Sequence, residues 1–251
     1  MSEPSYEFGL VCEGPTDEFT ACTLADRVLL ERIDWLEPEL LGSIRKWRGE
    51  APGETYLKWS NVKDRAAKAG IRVWGPFGEA PNAQDALTAR KALLLFAGLK
   101  ERPSAVLLIR DSDGDPERKD GEGLKQARDP RPWPFQVIIG VAHPKQEAWV
   151  LAGFQPRNPE ETERLRALRE RLFVDPILKA HTLDAREHGA KTDIKRALRE
   201  LTQGDGERER QCLSETGLEV LEQRGRDNGL AAYLSEVRER LAPVLGHTQE
   251  H

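Results

Sequence analysis

The sequence predicts an α/β protein: a mainly parallel sheet of four strands flanked by helices, followed by a helical C-terminal extension. Two observations carry that prediction. Short apolar runs alternate with helical periodicity four times up to residue 153, the pattern of strands joined by right-handed crossovers. From Pro156 onward strand-like runs vanish and helix formers dominate. The run Ala105 to Arg110 is apolar for five residues, as expected of a strand buried on both faces, and it ends in Asp111-Ser112-Asp113-Gly114-Asp115. Ligand chemistry in parallel sheets gathers outside the carboxyl ends of strands, where these acids fall.

At 251 residues the chain can bury one sizeable core with a smaller appendage. Its 38% hydrophobic content and six Trp are too many for a disordered chain. Thirty-eight Lys and Arg against 43 Asp and Glu give a net charge of -5, so any nucleic-acid contact must come from a local basic patch or from metal ions. Cys12, Cys22 and Cys212 form no C-x-x-C pair, which suits free buried thiols in a reducing cytosol. Met1-Ser2-Glu3-Pro4 has no basic leader, and the longest apolar run, Ala92 to Leu99, is far short of the roughly 20 residues of a membrane span. The expected location is cytoplasmic, with no membrane partner.

Tyr6 to Cys12 reads as the first strand, left through Glu13-Gly14-Pro15-Thr16-Asp17. Pro15 suits the first turn of a helix, and Phe19, Cys22, Ala25 and Leu29 recur at helical spacing behind it. Glu13 therefore sits at a strand end and Asp17 one helical turn on. Residues 35–70 form a basic and aromatic insertion: from Arg45 to Arg72 there are eight Lys/Arg against three Asp/Glu, with Trp47, Tyr56 and Trp59 interleaved. Two readings stand for it, a surface for single-stranded nucleic acid or a solvated segment whose Trp residues pack inward.

Ile71 to Trp74 is a candidate short strand closed by Gly75-Pro76. Asn82 is placed to cap a helix from about Ala83 to Lys100, which Arg102-Pro103 stops. After the acids a polar loop runs to Pro134, with a helical turn near Leu124. Phe135 to Ala142 is the last expected strand, and His143-Pro144-Lys145-Gln146-Glu147-Ala148-Trp149 leads into a helix reaching about Phe154. Glu147 is thus a third acidic element at the same edge.

Domain limits follow as 1–155 for the α/β part, 156–245 for the helical extension and 246–251 for a frayed tail. Helices are expected over Pro159 to Phe173, Lys191 to Leu201 and Leu230 to Leu241, with a polar loop over Gln203 to Arg210. Lys191, Lys195 and Arg199 make a basic stripe that is either a solvated helix face or, through Lys191 or a neighbour, a phosphate-holding group above the acids.

If the chain stays extended through Asp111 and Asp113, both side chains point the same way. Paired carboxylates repel unless a cation lies between them, and hard oxygen ligands select Mg²⁺ or Mn²⁺. Together, Glu-Gly-Pro-Thr-Asp at 13 to 17, Asp-Ser-Asp at 111 to 113 and Glu-Ala-Trp at 147 to 149 resemble the TOPRIM fold of topoisomerases, primases and OLD-type nucleases. The same motifs also resemble those of an uncharacterised bacterial TOPRIM-like family with E-G-x-T-[DE], D-x-D and E-A-W.

The resemblance covers residues 6 to 153. It implies a Rossmann-like TOPRIM sheet and two Mg²⁺ or Mn²⁺ ions used in phosphodiester hydrolysis. Glu13, Asp17, Asp111, Asp113 and Glu147 would be the metal ligands, with Glu13, Asp111, Asp113 and Lys191 as catalytic groups. Lys145 and Lys195 are further candidates for offsetting transition-state charge. The implied partner is nucleic acid, DNA rather than RNA. OLD-type nucleases carry an ATPase domain, whereas no G-x-x-x-x-G-K-[ST] loop occurs here, so an ATP-driven step implies a partner ATPase. Tyr6, Tyr56 and Tyr233 are not placed for a covalent topoisomerase link.

Other chemistries fit less well. Asp111-x-Asp113-x-Asp115 with Glu122 imitates a calcium loop, but Pro116 replaces the required Gly. An aspartyl phosphatase would carry its D-x-D on the first strand. His181 and His188 lack metal spacing, and Ser112 has no G-x-S-x-G elbow or evident His partner. The alternative of a different class is a non-catalytic TOPRIM-like subunit that binds nucleic acid or a protein partner.

Overall fold

The computed structural model describes residues 6–73, 83–185, 187 and 189–246. Trp74, Asn82, His188 and the tail beyond Gly246 lie outside the described residues. The chain is α/β, with a mainly parallel sheet flanked by helices. Two compact units comprise Met1–Arg110, Asp120–Gly140 and Ser235–His251, and Asp111–Lys119 and Val141–Leu234.

The sheet has five strands rather than the expected four. β1 (Tyr6–Cys12) lies beside β4 (Ala105–Asp111), in parallel register from Phe8↔Ala105 to Val11↔Leu108. Its other edge pairs with β2 (Arg45–Arg48) and then β3 (Leu57–Lys58), both parallel, and β5 (Gln136–Ala142) flanks β4. β1, β4 and β5 form where apolar runs fill both faces of the sheet. Gly9 is required by packing, since a Cβ there would stand 2.8 Å from the Phe96 ring on α4 (Ala83–Ala97).

The two extra strands come from the basic and aromatic stretch. Arg45 pairs with Asp26 of α1 (Pro15–Arg32), and Arg48 pairs with Glu7, so their charges are met beside the sheet. Trp47 packs on Phe8 at 5.3 Å, and buried Trp59 donates its indole N–H to the carbonyl of Ile109 at 2.5 Å. These Trp rings pack inward, the second of the two readings of this stretch.

α2 (Pro38–Ile44) precedes β2, and α3 (Trp59–Lys68) follows β3. No strand forms over Ile71–Val73. Gly70 is left-handed at φ 68, and the N–H of Ile71 closes α3 by donating to Ala66, so it is spent before any ladder can use it. The loop after β4 holds two short helices, α5 (Pro116–Lys119) and α6 (Glu122–Arg128), instead of one turn.

In the second unit α7 (Glu147–Ala152) brings in Trp149, which stacks on Tyr233 at 5.1 Å. α8 (Pro159–Leu172) is capped by Asn158, and its Glu161 forms a buried ion pair with Arg208 of α10 (Gly206–Glu215). The helix expected from Lys191 begins later, as α9 (Ile194–Thr202), because Asp193 takes the N-cap and accepts the N–H of Lys195.

The loop expected over Gln203 to Arg210 is corrected as well. Left-handed Gln203 and Gly204 turn the chain, and Asp205 at once caps α10. α11 (Leu218–Arg224) follows. The helix expected over Leu230 to Leu241 is interrupted: α12 (Leu230–Glu236) gives way to a π-turn over Val237–Leu241, then α13 (Ala242–Gly246). The widening precedes Pro243, which lacks the N–H that a continuous helix would offer Glu239. Among the described residues no helix is long and apolar enough to cross a membrane.

Candidate functional site

In the first unit the acids after β1 have local partners. Glu13 accepts a hydrogen bond from the Arg110 guanidinium at 2.6 Å and donates its backbone N–H to Asp17 at 3.2 Å. Pro15 opens α1, so the chain turns through one Gly-Pro step and Asp17 falls in the first helical turn. Arg110 also reaches Asp85 at 3.8 Å and lies over the Trp59 ring at 5.6 Å. Burial, then the charges of Asp17 and Glu18, push the Cys12 thiol far above its ordinary range and keep it protonated.

The second unit holds the acids at the end of β4. β4 closes at Asp111, and the next four residues make a turn in which Asp115 N–H donates to Ser112 O at 2.9 Å. Asp113 and Gly114 take positive φ, 53° and 70°. The expected extended backbone from Asp111 to Asp113 is therefore absent, and the i, i+2 argument for parallel side chains fails. An Asp-Gly pair at the tip of a turn is the physical reason, since both tolerate left-handed backbone.

This turn is tied to the loop after β5. Ser112 N–H donates to Ala142 O and Asp113 N–H to Pro144 O, each at 2.9 Å, while Gln146 N–H donates to Asp111 Oδ1 at 3.0 Å. Ser112 Oγ lies 2.8 Å from His143 Nδ1 and donates to Pro144 O at 3.2 Å; the His143–Pro144 peptide is cis. The histidine partner that the sequence does not reveal for Ser112 is thus present. The serine is 0% exposed, so the pair locks two loops together rather than presenting a nucleophile. That His143 directly follows a strand neighbouring β4 is the signal that could have found it.

Asp113 stands differently. Its side chain is 47% exposed, with Arg118 at 3.7 Å and Lys145 at 3.8 Å. Both separations are beyond hydrogen-bond length, and among the described residues no donor hydrogen-bonds to this carboxylate. Asp115 has Arg118 at 3.9 Å and accepts the N–H of Glu117 at 3.0 Å. Arg118, unlike His143, carries no signal at the level of sequence.

Glu147, in the first turn of α7, has Lys195 at 3.4 Å. Lys191 lies before α9, with its ammonium 4.5 Å over the ring of Phe173. Thus Asp111, Asp113 and Lys145 are brought into one stitched pair of loops, Glu147 is paired with Lys195, and Lys191 stands over an aromatic ring. No protein-family model, curated protein or solved structure matches the chain.

Among the described residues no three carboxylate, imidazole or thiol groups are placed to hold one ion together. Mg²⁺ keeps most of its water shell and commonly takes only one or two carboxylates. Asp113, to whose oxygens no donor among the described residues hydrogen-bonds, fits that demand, and Asp111 ends β4 two residues before it. The residues fit one hydrated hard ion better than a dense two-ion cage.

Proposed function

We propose that this chain is a TOPRIM-like protein that hydrolyses phosphodiester bonds of nucleic acid, DNA rather than RNA, with Mg²⁺ or Mn²⁺ held at the Asp111–Asp115 turn. The observation that carries the reading is Asp113: a half-exposed carboxylate flanked by two cations, neither hydrogen-bonded to it. A half-exposed acid with two cations standing 3.7 and 3.8 Å away suits a metal ion and a phosphate together.

Asp113 and Asp111 are the ion's proposed ligands. Held by these carboxylates, such an ion would supply Lewis-acid polarisation of a phosphoryl oxygen and a more acidic water. Lys145 and Arg118 are assigned to the phosphate, where their charge counters the negative charge that builds up during displacement. Gln146 N–H holds Asp111 in place, and the buried Ser112–His143 contact fixes the loop that carries Lys145. Glu13 and Asp17 have their own local partners and are not needed for this reading. An ATP-driven step would come from a partner protein.

A second reading is favoured by a specific observation: Glu13, Asp113 and Glu147 each have a basic neighbour at 4 Å or less. On that reading the chain is a non-catalytic subunit that binds nucleic acid or a partner. Purified protein incubated with linear, nicked and supercoiled DNA, and with RNA, in Mg²⁺, Mn²⁺ or EDTA separates the two. Cleavage that needs metal and vanishes in Asp113→Asn is expected. Binding without cleavage in every metal decides for the subunit.

A further inference from the structure

α8 ends at Phe173 in a way that folding does not explain. A helix that closes on a left-handed residue usually uses Gly or Asn, because a Cβ is disfavoured there. Phe173 takes φ 63 at this position, its N–H donating to Arg169 O at 2.8 Å. Its ring is 83% exposed, one position past the buried stripe of Leu165, Leu168 and Leu172 and so turned away from the core. The left-handed backbone costs stability, and with the ring in solvent no burial offsets that cost.

The surroundings are ordered around that ring. Lys191 covers one face, its ammonium 4.5 Å from the ring centroid. Arg171 of α8 donates to the carbonyl of Lys191 at 2.9 Å and pairs with Glu200 at 2.8 Å, which holds the lysine's backbone against the end of α8. Among the described residues no carboxylate lies within ion-pair distance of Lys191, whereas neighbouring Arg169 is paired with Asp175. Phe173 therefore offers one open π-face next to a cation that has no acidic partner among the described residues.

We propose that Phe173 and Lys191 form a stacking platform for single-stranded nucleic acid, with an unpaired base on the free face of the ring and an adjacent phosphate on the lysine. This rests on the nucleic-acid reading above and deepens it, because it names the strand state that is bound. Stacking accepts any base, since each has a π-face, and the cation supplies the charge complement. A duplex, its bases stacked inside, cannot use the ring.

The test is fluorescence anisotropy with the full chain in EDTA, which takes the metal turn out of play. The probes are a labelled oligothymidylate and a labelled duplex of equal length. Wild-type protein is expected to favour the single strand. Phe173→Gly is expected to weaken single-strand binding by roughly fivefold to a hundredfold. It should also melt no lower than wild type, since glycine relieves the left-handed backbone. Phe173→Trp should restore affinity, and Lys191→Ala should make the log affinity against log salt slope shallower by about 0.7.

Affinity of Phe173→Gly within twofold of a wild type that does bind overturns the platform and leaves the functional reading standing. A wild type that binds no oligonucleotide overturns both. Loss of self-association in Phe173→Gly with unchanged oligonucleotide affinity marks the ring as a protein contact and also overturns the platform.

Discussion

Replacing Asp113 by Asn tests the metal proposal without relying on turnover. In the absence of metal the change should be nearly neutral. Its two cations stand at 3.7 and 3.8 Å from a side chain that is 47% exposed. Unit charges at that separation are worth about 1 kcal/mol in water-like surroundings, and measured exposed pairs give roughly 0–1 kcal/mol. Against that loss, Asn keeps the tolerance for positive φ that the turn demands and removes a negative charge from a loop that also carries Asp111 and Asp115. The expected change in apo stability is within about 1 kcal/mol.

Metal should separate the two proteins. Free Mg²⁺ or Mn²⁺ at about a hundred times its Kd stabilises the wild type by roughly 2.7 kcal/mol, which raises Tm by about 5–10 °C for a chain of this size. Asp113→Asn should lose nearly all of that shift. Circular-dichroism melts in EDTA and in millimolar metal measure both quantities, with Glu219→Gln on α11 as the exposed control. An undiminished metal shift in Asp113→Asn removes this residue from the ligand set. A loss of more than about 2 kcal/mol in EDTA would instead give the carboxylate a structural role, beyond what surface pairs contribute.

Three further predictions concern the buried ion pair and the thiols. Arg208 donates to both oxygens of Glu161, at 2.8 and 3.0 Å, and to Gln155 O at 2.7 Å, so Arg208→Ala strands a buried carboxylate and should cost about 3–5 kcal/mol by urea denaturation. The same hydrogen bonds hold the Glu161 carboxyl below its usual range. Its contribution is therefore complete above pH 4.5, the ordinary value, and disappears as pH falls through the depressed folded value, so Glu161→Gln should flatten that acid limb of the stability profile. Burial raises all three thiols, Cys212 to about 11, so native protein at pH 8 should resist iodoacetamide until denaturant exposes them. Rapid labelling of any of the three in native protein contradicts the burial assigned to it.

What could be read from sequence follows from what kind of force sets each feature. β1, β4, β5, α1 and α7 are legible because burial on both faces, or on one helical stripe, leaves a periodic apolar trace. β2 leaves none. Its Arg-Lys-Trp-Arg sequence works at an edge only because Asp26 and Glu7 supply partners, and β3 is two residues long. α10 hides behind Gln203-Gly204, which looks like a loop and is in fact the hinge between two capped helices.

The candidate site divides in the same way. That Asp111 ends a strand, and that Glu13 follows one, is local information carried by the apolar runs. Which base each acid meets is not: Glu13 and Arg110 are 97 positions apart, and Lys145 reaches Asp113 from a different loop. The Asp113-Gly114 pair did carry a readable warning, because such a dipeptide favours a left-handed turn and so breaks the alternation on which two same-facing carboxylates depend. Electrostatic neighbours, rather than strand alternation, distinguish the acids here. A carboxylate that closes hydrogen bonds to a guanidinium, as Glu13 does, has little to gain from an ion, whereas Asp113, whose cations stand off beyond hydrogen-bonding distance, retains lone pairs that a hydrated divalent ion can use.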